Sequence, residues 1–408
     1  MSTNFFERRA FLRSGGLLLS AVAAPIAAAV ERFPQSMLVP GRTSEPYGSP
    51  ASYEIGKVRS GGQRRDLTTL SSSYTPIHLQ KGIVTPSGLH YTVHHSGVPD
   101  INPAEHRLYV HGMVKQPLKF SAEDLMRYPM RGGIHFLECA GNSWRQGAMP
   151  EPQNASCQDI HGLLSGSEWF GVPAKILLDQ VGLKPGAKWI IAEGADAHTM
   201  ARSIPLKKLM DDGIIALYQN GERLRPEQGY PMRLFLPGWE GNTSVKWLHR
   251  LEVVDQPAYT KDESREYTET LADGTIQRFS MTMDVKSVIT HPSAGQRLPE
   301  TGFYEVSGLA WSGHGAIKSV EIFDGAGKEW VKAELQGPVL PKSLTRFSLP
   351  WKWDGKPTRL QSRAVDETGN IQPSHQDWAE QYLPGSYNHY NAIQAWNIDA
   401  DGVLTNVF

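Results

Sequence analysis

Only two cysteines occur in the 408 residues, Cys139 and Cys157, and the surroundings of the first are unusual. An apolar run, Ile134 to Leu137, leads through Glu138 into Cys139-Ala140-Gly141-Asn142. The run reads as a strand, and the two small residues after the cysteine let a bulky group approach the backbone. Asn142 can cap the turn or hydrogen-bond a ligand. A thiolate at a strand end suits a soft, high-valent metal bound to sulfur. The residues alone leave three readings open. Cys139 can be a small buried hydrophobe, a disulfide partner of Cys157 in an oxidising compartment, or a metal ligand. No Cys-x-x-Cys-His attaches a c-type haem and no cysteine cluster holds an iron–sulfur centre. The adjacent His94 and His95 invite a zinc reading, but two histidines do not make a site.

The elements that must position this chemistry follow from patterning. The length predicts two domains. Lys plus Arg total 41 against 42 Asp plus Glu, so no strongly anionic partner such as nucleic acid is implied. Residues 1–30 read as a signal peptide: Arg8-Arg9, then Phe11-Leu12, an apolar stretch, and Ala27 to Ala29. The paired arginines resemble the twin-arginine export signal, which implies a periplasmic protein exported folded. No later run is long enough to span a membrane. Residues 31–85, rich in Ser, Pro and Gly, read as an extended arm. Residues 86–255 read as a mixed α/β domain, with strands near 107–111, 134–137, 189–193, 232–236 and 245–254. A capped helix starts at Ser121 and another helix spans 173–181. Residues 256–281 form a polar connector. From 282 to 385, short alternating strands near 304–309, 318–323 and 359–365 meet Gly/Asp turns and predict a β-sandwich. Residues 386–408 read as a tail packed back on the body.

With these segments in order, the chain resembles the sulfite oxidase family of molybdenum enzymes. The motifs are Cys139-Ala140-Gly141-Asn142; Pro231-Met232-Arg233 with Leu236-Pro237-Gly238, Gly241 and Ser244 to Leu248; Gly308 to Gly313; and Ala364 to Pro373. Together they span roughly residues 86–380. The resemblance implies an α+β chain: a molybdopterin-binding domain of sulfite oxidase type, then an immunoglobulin-like dimerisation sandwich. It implies molybdenum with one molybdopterin, Cys139 as the metal's protein ligand, and Tyr267 as an active-site tyrosine. It also implies cofactor contacts from Tyr91, His94, His95, Asp196, Gln228, Arg233, Ser244, the Val245 backbone and Lys246. A guanidinium and an ammonium suit the pterin's terminal phosphate.

The sequence departs from the sulfite-oxidising members where those carry pocket arginines. Val93, Trp144 and Ala316 stand at such places, and Gln228 and Thr243 replace a cofactor-region histidine and arginine. Small free anions want converging guanidinium groups. The departures, and the segment Asn388 to Trp396, resemble the catalytic subunits of Sox-pathway sulfane dehydrogenases. That implies oxidation of sulfane sulfur on a carrier protein's cysteine, electrons leaving to a separate c-type cytochrome subunit, and a homodimer within a heterotetramer. The alternative is a dehydrogenase of free sulfite, with Arg145, Arg202 and His314 rebuilding an anion site.

Overall fold

The computed structural model describes residues 70–146, 152–325, 329–383 and 388–407, together with 37, 40, 46–54 and 56–61. The chain divides into two units, Met1–Gly56 and Lys57–Phe408. In the first, a 3-10 turn spans Ser52–Glu54, and the expected signal peptide at 1–30 lies outside the described residues. All other described helices and strands belong to the second unit.

The N-terminal half of that unit is mixed α/β. One five-stranded sheet runs Leu118–Phe120, Leu108–Gly112, Leu248–Val254, Trp189–Gly194, Ala201–Pro205 in spatial order. Another holds Glu222–Arg223, Ile214–Gln219, Leu164–Pro173 and Arg131–Glu138, with Arg233–Phe235 pairing on Ile214–Gln219. Helices Ala174–Val181 and Leu206–Asp211 contribute Leu177, Leu178, Val181 and Leu209 to the core. There they meet Val110, Leu251 and Val253 of the first sheet and Ile215, Leu217 and Leu234 of the second, all buried. Each such side chain contributes about 1.5–3 kcal/mol by leaving water. Ser121 caps its short helix through a reciprocal pair with Asp124, whose backbone N–H donates to Ser121 Oγ at 3.0 Å. A small sheet of Ser60–Gly61, Ser71–Tyr74 and Thr92–His94 borders this half. The described part of the expected arm therefore holds strands, and Ile77 and Ile83 reach a core cluster.

The C-terminal half is rich in strands. One sheet orders Lys286–His291, Gly302–Trp311, Thr345–Trp353 and Glu334–Gln336. The other orders Val331–Lys332, Ile317–Phe323, Thr358–Asp366, Ala395–Ile398 and Leu404–Val407. Both contribute to one core, where Val288, Leu309, Trp311 and Phe347 of the first join Val320, Ile322, Leu360 and Trp396 of the second. The turn after Thr358–Asp366 forms because the Asp366 carboxylate accepts from the backbone N–H groups of Thr368 and Asn370, each at 3.0 Å.

The strand that delivers Cys139 is long because its partner is. Arg131–Glu138 pairs antiparallel with Leu164–Pro173 from Arg131↔Gly171 to Glu138↔Leu164. Ser and Gly residues hide that partner from any alternation reading, yet the glycines are needed there. A Cβ on Gly166 would lie 2.1 Å from the Ile83 carbonyl oxygen, and one on Gly171 2.0 Å from that of Ile215.

At the strand's end Glu138 is 1 % exposed. Lys286 Nζ donates to its Oε1 at 3.2 Å, Asn142 Nδ2 donates to the same oxygen at 2.9 Å, and Trp311 Nε1 donates to Oε2 at 2.6 Å. Lys286 and Trp311 belong to the C-terminal half, so this carboxylate joins the two halves beside the cysteine. Removing one partner of a buried ion pair strands the other. Lys286→Met is expected to destabilise the protein by about 3–5 kcal/mol in urea unfolding, and adding Glu138→Gln is expected to recover part of that loss. Equal stabilities for wild type and Lys286→Met would contradict this role.

Candidate functional site

A cavity of about 660 Å³, counting the space open to solvent, lies where the Cys139 loop, the strand Thr92–His94, the loops near Gln228 and Asn242, and the segment carrying Tyr267 meet. Cys139 sits one residue past its strand. Its N–H donates to Leu163 O at 3.0 Å, and Asn142 N–H donates to Cys139 O at 2.9 Å, closing a tight turn. Asn142 is spent on this turn: Nδ2 holds Glu138, and Oδ1 accepts from Leu163 N–H at 3.1 Å. A Cβ built on Gly141 meets nothing within 4 Å, so open space adjoins the loop. Both cysteines are free thiols, Cys139 on the cavity and Cys157 buried as the first residue of the helix Cys157–His161. The disulfide reading of the sequence is thereby removed.

Every site residue expected from the sequence lines this one cavity: Cys139 and Tyr267, then Tyr91, His94 and His95 from the strand Thr92–His94 and its flanks. The rest come from elsewhere, Asp196 after the strand Trp189–Gly194, Gln228 and Arg233 around one turn, and Ser244, Val245 and Lys246 from another. Arg233 is 2 % exposed. It donates to Ser244 O at 2.6 Å and Gln228 O at 3.1 Å, and its guanidinium lies 5.0 Å from the Trp169 ring centroid. Lys246 Nζ donates to Val93 O at 2.9 Å, Glu227 O at 3.2 Å and His94 Nδ1 at 2.8 Å. Among the described residues neither cation makes an ion pair. Burial therefore lowers Arg233 to about 10 and, with Arg233 nearby, pulls Lys246 well below its usual range. Burial and the Lys246 charge bring His94 down to about 2, so its ring is neutral. Burial pushes the Cys139 thiol up to about 12. Burial and the nearby thiol also raise the Tyr267 phenol well above its usual value.

Several contributors escaped sequence reasoning. Thr92, Leu137, Met200, Glu227, Asn242 and Trp247 also line the cavity. Behind Tyr267 the Arg202 guanidinium lies 4.6 Å from the ring centroid. Arg202 is fully buried and donates to Glu240 Oε1 at 2.9 Å and Glu263 Oε1 at 2.8 Å. Those two carboxylates offset its charge, so it does not supply a free-anion site. His314 faces Asp284 at 3.1 Å and does not line the cavity. The Arg145 side chain lies outside the described part. Trp144 is 41 % exposed, Val93 lines the cavity, and the Ala316 N–H donates to Glu367 at 2.8 Å. Nothing in the local sequence marks Glu240 or Glu263, whose partner is distant along the chain.

These residues fit a molybdopterin. A cavity where polar and apolar side chains from several elements converge suits a cofactor. Arg233 and Lys246, neither in an ion pair among the described residues, suit an anion such as a phosphate. A neutral thiol on the cavity becomes a good donor once a soft metal displaces its proton.

Comparison with known proteins agrees with this geometry. Residues 95–261 match the family described as oxidoreductase molybdopterin binding domain, and residues 277–394 match the Mo-co oxidoreductase dimerisation domain. The crystal structure of the sulfane dehydrogenase SoxCD from Paracoccus pantotrophus contains a chain with 39% sequence identity and a TM-score of 0.89; the match covers 93% of this chain and 98% of that one. Mitochondrial sulfite oxidase of Mus musculus is 29% identical over 73% of this chain. NADH nitrate reductase 1 of Arabidopsis thaliana is 30% identical over 74% of it. The chain spans 59% of the mouse protein's length and 37% of the plant protein's.

The buried histidines set the pH response of stability. Burial holds His90 at about 3, His94 at about 2 and His161 well below its usual value, so all three stay neutral in the fold. Unfolded, each takes up a proton near pH ~6.5. The unfolded state then binds more protons, and stability falls as pH drops below that value. His389 runs the other way. Burial alone would lower it, but the hydrogen bond and charge of Glu240 raise it to about 9, so its contribution fades as pH rises through that value. Thermal melts are expected to show Tm declining on both sides of this window. A Tm that is flat below pH ~6.5 would contradict the neutral assignments.

Proposed function

We propose, from the premise that this chain belongs to the sulfite oxidase family of molybdopterin-dependent oxidoreductases, that it oxidises sulfane sulfur held on a carrier protein's cysteine. Electrons pass to a separate c-type cytochrome subunit. The chain is exported to the periplasm by the twin-arginine route, and it pairs through an immunoglobulin-like sandwich made by the C-terminal sheets. The cofactor domain spans residues 86–255 and the sandwich 282–385. Among the described residues no helix is long and apolar enough to cross a membrane.

The observation that carries this reading is the convergence on one cavity of Cys139, Tyr267 and the basic side chains of Arg233 and Lys246, neither of which makes an ion pair among the described residues. In it Cys139 would hold molybdenum. Arg233 and Lys246, with Ser244 and the Val245 backbone, would hold the phosphate end of one molybdopterin. Tyr91, His94, His95, Asp196 and Gln228 would contact the remainder. The bound metal supplies two-electron redox chemistry, with the protein providing placement and electrostatics. Each step adds one oxygen from water to the terminal sulfur: R–S–S⁻ and H₂O give R–S–S–O⁻, two protons and two electrons. Tyr267 keeps its proton at Oη at neutral pH, because burial and the nearby thiol raise its pKa. It therefore donates a hydrogen bond toward the reacting oxygen. Arg202 steadies its ring from behind.

The charge inventory favours a bound sulfur over free sulfite. Among the described residues Arg233 is the one guanidinium lining the cavity, and Val93 adds an apolar wall. A small dianion would want more converging donors. The deciding experiment measures molybdenum content and turnover on a thiosulfate-charged carrier protein and on free sulfite. One molybdenum per chain and preference for the carrier are expected. Efficient oxidation of free sulfite would replace this reading with the sulfite dehydrogenase one, and absence of metal and pterin would end both. Cys139→Ser should remove nearly all activity while Cys157→Ser stays mild, and the reverse pattern would overturn the assignment. Tyr267→Phe should lower kcat by about 10²-fold with molybdenum retained. Loss of metal without a change in turnover per metal would contradict its role.

A further inference from the structure

We infer that Asn388 and His389 are positioning residues for the Cys139–Tyr267 pair, an inference that rests on the site reading above. Asn388 is buried, and its Nδ2 donates to Glu266 O at 3.2 Å and to Thr268 O at 3.4 Å. Those carbonyls flank Tyr267, so one amide brackets the tyrosine's backbone on both sides. The next residue reaches the cysteine. The His389 N–H donates to Ala140 O at 2.8 Å, one residue past Cys139. Its imidazole turns to Glu240, Nε2 to Oε2 at 3.2 Å, with Glu269 Oε1 at 3.8 Å. Glu240 Oε1 in turn holds Arg202, the cation against the Tyr267 ring. Two consecutive residues thus tie the cysteine turn, the tyrosine backbone and the tyrosine's cationic support together.

The backbone shows that this arrangement is held in place. His389 adopts φ 54°, a left-handed conformation uncommon for residues other than glycine. It persists because neighbours fix the segment. Tyr390 packs against Trp378 at 4.7 Å between ring centroids and its hydroxyl lies 3.0 Å from His375 Nδ1. Asn391 Nδ2 donates to Val285 O at 3.2 Å, and Gln372 Nε2 donates to Ala392 O at 3.4 Å. These anchors belong to the C-terminal half. The pair therefore carries that half's rigidity to the reacting groups by a second route besides Glu138.

The test uses purified holoenzyme with Asn388→Ala and His389→Asn. Asparagine tolerates the left-handed conformation, so the second variant removes the imidazole without adding backbone strain. Three quantities are read: turnover per bound molybdenum, the Mo(V) paramagnetic resonance spectrum, and hydrogen exchange of peptides covering 138–143 and 264–270. The expected result is at least a ~10-fold fall in kcat per molybdenum, with KM within ~2-fold, a shifted spectrum and faster exchange in both peptides. If activity falls only in step with metal content or Tm, and the spectrum and exchange stay as in wild type, the pair is structural and the inference fails. Failure of the site reading looks different: the wild type itself lacks molybdenum, or Cys139→Ser keeps its activity.

Discussion

A single buried carboxylate governs the geometry on which everything else depends. Glu138 immediately precedes Cys139 and is almost fully excluded from water. An isolated charge there would be prohibitive. It exists because an ammonium and an indole N–H from the C-terminal half complete it, together with the amide of Asn142 from the same turn. The consequence is that the cysteine's position is set by both halves of the molecule at once. Neither the strand Arg131–Glu138 nor the C-terminal sheets alone would hold the turn. Ser143 extends the link, since Lys286 Nζ donates to its hydroxyl at 2.8 Å and its φ of 72° closes the turn.

Around this fixed point the electrostatics divide into two zones. On the cavity side neither Arg233 nor Lys246 makes an ion pair among the described residues and the His94 ring is neutral, so the space suits a negatively charged occupant. Behind Tyr267 the charges are closed among themselves, with Arg202 shared by Glu240 and Glu263 and His389 paired with Glu240. The first zone recruits an anion, and the second holds an aromatic ring and a loop in place. Such a division keeps the reactive side polar while the charges behind Tyr267 are paired with one another. A guanidinium that the sequence offered as a possible receptor for free anions belongs to the closed zone.

Much of this was readable from local signals. The apolar run before Cys139, the Ser121 cap and the aspartate turn at Asp366 each depend on neighbours a few residues away, and each appears in the structure. The site residues named through the family motifs all line the cavity. What stayed hidden depends on distant partners. The strand Leu164–Pro173 carries glycines where close backbone approach demands them, and with its serines they erase the alternation that marks a strand. Arg202 meets Glu263 across 61 positions and Glu240 across 38. Asn388 and His389 looked like part of a terminal tail, and only the fold brings them to the cysteine turn. Likewise Ala395–Ile398 and Leu404–Val407 pair as strands whose register no local pattern announces.

The central claim is that the sulfur of Cys139 is bonded to molybdenum. X-ray absorption at the molybdenum edge of purified wild-type and Cys139→Ser protein tests it most directly. The account predicts one fewer sulfur in the metal's coordination shell in the variant, with the remaining sulfurs unchanged. Identical sulfur shells in the two proteins would contradict it.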